Sequence, residues 1–301
     1  MEFLHNHPEE LKEAIDLVVY KTGISPEAVE KDYYVTMLLK LLAERLPFIV
    51  FKGGTSLSKC YRVIKRFSED IDITVDMSIS QGQKKKVKEA IVEIASILGL
   101  EILNLDDTRS RRDYNQYVIA YTSVISSDAD VLKPTVLLET SYTAVSFPTV
   151  TLAVNNYLGE MMLEETAELM EQYGLAPFEM KVQGIDRTLA DKVFAVCDYY
   201  LQGKEKKHSR HLYDIYKLLP LVPQNEEFKK LAAEVRAVRK ESAICPSAQD
   251  DVNVSELLMK IVENEGYKSD YMNLTVHLLE EKVAYEEVIG AVKVIAESGL
   301  F

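Results

Sequence analysis

"FKGGTSLSKCYRVIKRFSEDIDITVD", residues 51–76, decides how the rest of the chain is read. An apolar stub ends in a glycine pair, small hydroxyl residues follow, and a later run alternates aspartate with β-branched residues. Side chains on an extended strand point to opposite faces in turn. Ile71, Ile73 and Val75 therefore share one face, and Asp70, Asp72, Thr74 and Asp76 share the other. The apolar face seals a core. The acidic face must meet water, a base or a metal. Two carboxylates at i and i+2 can ligate Mg²⁺, a hard cation that takes oxygen ligands and bridges to substrate phosphates. For a bare DxD the alternative is an edge strand with solvated aspartates. Asp76 is a bystander on the same face, ~13 Å beyond Asp72 at ~3.3 Å per residue.

The glycine pair sharpens this. Gly53 and Gly54 lie between a short apolar strand and a helix that is expected to begin near Thr55. Glycines let the backbone approach a ligand closely, and a helix N-terminus presents unpaired N–H groups to a phosphate. Thr55 and Ser56 add hydroxyl donors, and Lys59, one turn on, adds charge. The Walker pattern GxxxxGK[ST] is absent. Alone, "GGTS" also fits an ordinary turn with a capped helix. Strand, glycine turn, helix and DxD strand together place a phosphate cradle beside a metal platform. Glu139, inside the apolar run "TVLLETSY", is a candidate third metal ligand, because a carboxylate in a buried-type strand is costly unless paired or metal-bound. A salt bridge to a lysine at the strand edge accounts for it equally well.

Size and charge bound the remaining classes. The 301 residues suggest two domains or one core with additions, and 47% hydrophobic content suffices for a sizeable core. No apolar run approaches the ~20 residues of a membrane span, and the opening "MEFLHNHPEELKEAID" lacks a signal-peptide layout. Cys60, Cys197 and Cys245 form neither a disulfide framework nor a zinc pattern, so a reducing cytoplasm is expected. The net charge of -13 argues against broad nonspecific nucleic-acid binding. Two basic clusters stand out against it, "RSRRD" at 109–113 and "KEKKHSRH" at 204–211.

Periodicity and punctuation give the elements. A helix is expected over 8–22, stopping near Gly23. A second follows, capped by Ser25, with Pro26 in its first turn and Pro47 just beyond its end. "FIVF" reads as a strand, 55–65 as a helix, 70–76 as a strand and 82–98 as an amphipathic helix. Strands are expected in "EILNL", "YNQYVIAYTSVI", "PTVLLETSYT" and "PTVTLAV". From about 155 helices dominate, most clearly 186–202 and 209–219. In the first of these Lys192 flanks an apolar stripe, either snorkelling or reaching a cleft, while Asp191 and Asp198 point away from the stripe. In the second, Arg210, Asp214 and Lys217 form a polar stripe, whose plainest reading is a local i,i+4 ion pair. His208 and His211 have HxxH spacing, but no further metal ligand accompanies them.

Taken together, "FKGGTSLSK", "RFSEDIDI", "RTLADKVFAV" and "RHLYDIYKL" occur in the order seen in the AbiEii/AbiGii toxins, and "VEKDYYVTMLLKLL" is similar to that family's N-terminal helix. The resemblance spans roughly residues 28–219. It implies the DNA polymerase β-like nucleotidyltransferase superfamily and an α+β fold. In that fold a mixed-sheet core with flanking helices (residues 1–185) precedes a helical C-terminal domain (residues 186–301). It also implies transfer of a nucleoside monophosphate from an NTP to an acceptor hydroxyl, with release of pyrophosphate. By position, Gly53, Gly54, Thr55 and Ser56 would meet the triphosphate, with Lys59, Ser68 and Arg210 assisting. Asp70 and Asp72 would hold Mg²⁺, Lys192 would contact phosphate, and Asp214 would complete the late motif. The family implies an RNA acceptor, a tRNA in related toxins, and a separate antitoxin as partner. Glu139 matches no family motif, and the base that activates the acceptor is unassigned. Two other readings stand beside this one: transfer to a protein hydroxyl, and a catalytically silent binding module.

Overall fold

The computed structural model describes residues 2–68, 70–125, 132–143, 145–162, 167–242 and 244–301, so Glu69 of the "RFSEDID" motif lies outside the described residues. The chain divides into two units, Met1–Tyr61 with Ser68–Val182, and Arg62–Phe67 with Gln183–Phe301. A six-residue stretch between the glycine turn and the DxD strand thus belongs with the C-terminal half. The sequence boundary at 185/186 carries no such excursion.

The first unit opens with α1 (Pro8–Thr22), which ends at Gly23 in the left-handed conformation, φ 74°. The helix α2 (Pro26–Arg45) starts where the Ser25 side chain accepts the Ala28 N–H. Both ends follow the local rules that predicted them. Then come β1 (Ile49–Lys52), α3 (Gly53–Lys59), β2 (Ile71–Val75), α4 (Gln81–Ile97), β3 (Glu101–Ile102), β4 (Tyr114–Ala120), β5 (Thr135–Ser141), β6 (Thr149–Val154), α5 (Tyr157–Met162), α6 (Ala167–Gln172) and β7 (Phe178–Gln183). The helix α3 begins at the glycines and stops at Lys59, six residues short of the expected end. Residues 62–67 leave it to join the second unit.

The strands form one mixed sheet in the order β3-β4-β5-β2-β1-β7-β6. β2 runs antiparallel to β1 and parallel to β5, and β7 is parallel to β1. One face carries Phe51, Ile71, Ile73, Tyr117, Ile119, Val136 and Leu138 into a core shared with α1, α2 and α4. The strand β7 sits between β1 and the edge strand β6, within the stretch expected to be helical. Its alternation of Phe178, Met180 and Val182 was the available signal, outweighed by the helical pattern on either side.

In the second unit α7 (Ile185–Leu201), α8 (Arg210–Leu218), α9 (Glu226–Lys240) and α10 (Val254–Glu263) pack with a final helix, Tyr285–Glu297. The stretch 62–67 is tied into this unit through main-chain bonds: Phe67 N–H to Leu278 O at 3.2 Å and Glu280 N–H to Lys65 O at 2.9 Å. No helix among the described residues is long and apolar enough to cross a membrane.

Candidate active site

The face of the sheet opposite the core carries a polar row. Strand register sets Gln116 opposite Glu139, Glu139 opposite Asp72, and Asp72 opposite Lys52. Paired residues on neighbouring strands lie ~5 Å apart and share a face, so four strands contribute one side chain each to a continuous line. Asp70 immediately precedes β2, and both it and Asp72 are half-buried. Glu139 is brought beside Asp72, and its Oε1 accepts from Tyr114 Oη at 2.9 Å and Gln116 Nε2 at 2.8 Å. Among the described residues its partners are these neutral donors and not a strand-edge lysine, one of the two alternatives the sequence left open. Lys52, Tyr114 and Gln116 escaped the sequence reading, because only the register reveals which residues face Asp72 and Glu139. Asp76 is set apart: its Oδ2 accepts from Lys181 Nζ at 2.6 Å.

The glycine turn is shaped around Asp72. Gly53 has φ 80°, and a Cβ there would lie 2.1 Å from Asp72 Oδ2. Both the backbone conformation and the space therefore require glycine. Gly54 follows it, buried, in α3. Within α3, Ser56 is fully buried and donates to Gly53 O at 2.8 Å, so it braces the turn from below. Thr55 Oγ1 and Ser68 Oγ are hydrogen-bonded at 2.9 Å, which joins the glycine turn to the segment leading into β2. Lys59 is only 6% exposed. Its ammonium reaches Asp32 Oδ1 at 2.5 Å, Thr36 Oγ1 at 2.7 Å and Asn155 O at 3.2 Å. That geometry makes Lys59 a strut between α3 and α2, and it assigns a structural task to Asp32 in the "VEKDYYVT" stretch.

Among the described residues no group of three or more His, Cys, Asp and Glu side chains gathers to hold a metal ion by itself. Mg²⁺ does not need one, since it typically takes one or two carboxylates and fills the remaining positions with water and phosphate oxygens. Asp70 and Asp72 fit that habit, and the missing Cβ at Gly53 leaves the room in which the Asp72 carboxylate lies against the glycine turn.

In the second unit the late motif forms a buried charge cluster. Asp214 is fully buried and accepts a bidentate pair from Arg66, Nε to Oδ1 at 2.7 Å and Nη2 to Oδ2 at 2.9 Å. Lys192 Nζ lies 2.9 Å from Asp214 Oδ2 and 3.2 Å from His211 Nδ1. Asp214 thus takes a partner 148 residues away in sequence, which the local reading of the helix did not include, and Arg210 sits at the first position of α8. Burial would raise the Asp214 carboxyl, but the charges of Arg66 and Lys192 outweigh it and hold the group well below 3.8. Burial, aided by the Lys192 charge, pushes His211 down to about 3, so it is neutral. Burial also lowers Lys192, against the opposing pull of Asp214. Asp198, expected to face away from the apolar stripe, is nonetheless buried. It accepts from Arg239 Nη2 at 2.7 Å and Ser247 Oγ at 2.7 Å, because a second layer covers that side of α7.

A family profile described as "Nucleotidyl transferase AbiEii toxin, Type IV TA system" matches residues 38–287, more than half of the chain. The chain belongs to the AbiEii nucleotidyltransferase toxin family. Its fold is similar to that of MenT4, a nucleotidyltransferase toxin from Mycobacterium tuberculosis H37Rv, with a TM-score of 0.62 at 18% identity over 94% of this chain and 88% of that one. Comparison with curated protein sequences finds no match. As an AbiEii-family nucleotidyltransferase, the protein has an NTP as substrate class and an antitoxin as implied partner. The α+β fold expected from sequence is the fold observed.

For this AbiEii-family chain Gly53→Ala is expected to impair transfer more than stability. Forcing an alanine to positive φ costs ~1–2 kcal/mol, whereas a displacement of ~1 Å in a reacting group can cost ~10²-fold in rate. Parallel measurement of nucleotide incorporation and urea unfolding checks this. An alanine variant with wild-type incorporation would show that the Gly53–Asp72 approach is irrelevant to catalysis.

Proposed function

We propose that the protein transfers a nucleoside monophosphate from an NTP to a hydroxyl of an RNA, a tRNA being the expected acceptor class, in a cytoplasmic setting. The observation that carries this is the Asp72 carboxylate seated against Gly53, with Asp70 at the next position on its face and Glu139 and Lys52 on either side. Phosphoryl transfer depends mainly on positioning and charge neutralisation; this row supplies the positioning, and Lys52 together with a cation held by the carboxylates would supply the neutralising charge. Asp70 and Asp72 are proposed to hold Mg²⁺, which when bound supplies neutralising charge at the α-phosphate. The glycine turn lets the main chain lie close to the triphosphate, and the Thr55–Ser68 bond holds that turn in register with the DxD strand. Ser56 and Lys59 support it from within. Lys52, opposite Asp72, adds a cation on the same face. The acceptor oxygen bonds to the α-phosphorus, the bond to the bridging oxygen of the β-phosphate breaks, and pyrophosphate departs. For the second unit, the proposal keeps Lys192 and Asp214 as the family's late motif, with Arg66 as the residue that fixes the Asp214 carboxylate.

Incubating the purified protein with Mg²⁺ and each α-labelled NTP in a cell extract tests the donor and the acceptor together. Labelled RNA is the expected product, from one or two of the four nucleotides. Label confined to protein would replace the acceptor with a protein hydroxyl, a reading that the net charge of -13 favours. No label and no NTP binding would remove the enzymatic reading of this chain.

A further inference from the structure

The second basic cluster of the sequence has no part in the chemistry described so far, yet it adjoins the late motif directly. Residues 202–209 connect α7 to α8, which begins at Arg210. Lys204, Lys206 and Lys207 are exposed, and among the described residues none of the three makes an ion pair. Lys204 Nζ donates to a neutral partner, Gln202 Oε1, at 2.9 Å. Concentrating cations without carboxylate partners is unusual in a chain with net charge -13. The bland alternative, a solvated flexible connection, does not fit the way the loop is held. The Asp270 carboxylate accepts the Lys207 N–H at 2.8 Å, the Ser209 N–H at 3.2 Å and the Ser209 hydroxyl at 2.7 Å. Ser209 is fully buried, and its hydroxyl also meets Thr275 Oγ1 at 2.7 Å. Lys207 itself is held at φ 70°, a left-handed conformation that a non-glycine residue adopts only when its surroundings impose it.

The loop is also continuous with the late motif inside the same unit. The His208 ring stacks on Tyr199 with centroids 3.5 Å apart and planes 9° from parallel, and His211 lies 5.8 Å from the same tyrosine at 7°. His211 Nδ1 then meets Lys192 Nζ at 3.2 Å. An exposed lysine edge, an aromatic stack and the Lys192–Asp214 cluster therefore form one connected strip. Exposed lysines without carboxylate partners are the chemistry that meets a phosphate backbone, and the rings, stacked on one another, tie that edge to the late motif.

We propose that residues 202–209 are an RNA-docking element, in which Lys204, Lys206 and Lys207 engage the phosphate backbone of the acceptor next to the late motif. The lysines meet phosphates, which carry no sequence information, so they set affinity and position rather than base choice. Asp270 fixes the main chain at Lys207 and Ser209, the C-terminal end of the loop.

The test is binding of unfractionated tRNA, followed by fluorescence anisotropy without NTP across a salt series. Wild type is compared with a triple variant, Lys204→Gln, Lys206→Gln and Lys207→Asn, asparagine being chosen because it tolerates the left-handed backbone. The variant should bind tenfold or more weakly, and its log–log salt slope should shrink by ~0.7–0.9 for each lysine that meets a phosphate. Its NTP binding and unfolding midpoint should match wild type. Equal affinity and equal slope for the two proteins would overturn the docking element. So would a loss of NTP binding in the variant, or competition by poly-glutamate as effective as that by RNA at equal charge. The inference rests on the RNA-acceptor reading, and the two fail differently. A wild type that labels no RNA in the transfer assay removes the acceptor reading, whereas unchanged tRNA binding by the variant removes only the loop.

Discussion

Replacing Asp72 with alanine is expected to reduce nucleotidyl transfer by ~10³-fold or more, the order seen when one preorganised electrostatic element of an active site is lost. The fold should survive. Asp72 is half-buried on the face opposite the apolar core, so its removal leaves no cavity in that core. Asp76→Ala makes the informative contrast. Asp76 shares the acidic face in sequence, yet its carboxylate is engaged by Lys181 at 2.6 Å, and transfer should persist in that variant. Incorporation of label from an α-labelled NTP, measured for both variants beside wild type, checks the pair. An Asp72→Ala enzyme within tenfold of wild type would show that the DxD strand is not the metal platform.

Asp214→Ala should produce the largest loss of stability, ~3–5 kcal/mol, the usual penalty for removing one partner of a buried ion pair. Asp214 is fully buried, and Arg66, which pairs with it through two nitrogens, is 2% exposed. Alanine would strand that guanidinium and the Lys192 ammonium without their anion. Urea unfolding checks the size, and a loss below ~1 kcal/mol would place the pair among ordinary surface bridges. The same cluster sets an acid response. The Asp214 carboxyl lies well below 3.8 in the fold, so its contribution is complete above that value and is lost only as the pH falls through the lowered one. His211 acts earlier. The unfolded chain protonates it near 6.5, whereas burial delays this to about 3 in the fold, so the unfolded state binds more protons between those values. Stability should therefore decline as the pH drops from about 6.5 towards 3, and the slope should be shallower in His211→Gln. Unfolding midpoints at a series of pH values in that window measure both effects.

The sequence was most readable where the physics is local. Ser25 and Gly23 mark helix ends because caps involve residues a few positions apart. The alternation from Ile71 to Val75 announces a strand because the side-chain period of a strand is two. The same property made Asp70 and Asp72 visible as a pair, and the glycine turn visible as their companion. What was missed depends on contacts far apart in sequence. The strand β7 alternates over six residues, but it lies between helical segments, and its pairing with β1 is what makes it a strand. Glu139 had two open explanations, and register settled its place beside Asp72 while Tyr114 and Gln116 supplied its partners.

By itself, then, the sequence determined the α+β class, the main helices, the acidic face of the DxD strand, the glycine turn and the family to which they belong. Each is a periodicity, a cap or an ordered set of short motifs, and such features survive without coordinates. Only the tertiary structure decided that Lys59 answers Asp32, that Asp214 answers Arg66, that Lys52 and Glu139 flank Asp72, and that Asp270 holds the lysine loop in place. The reason is that a buried charge takes whichever opposite charge or donor the packing brings within reach. Sequence spacing restricts that choice only for residues on the same turn of helix or the same strand.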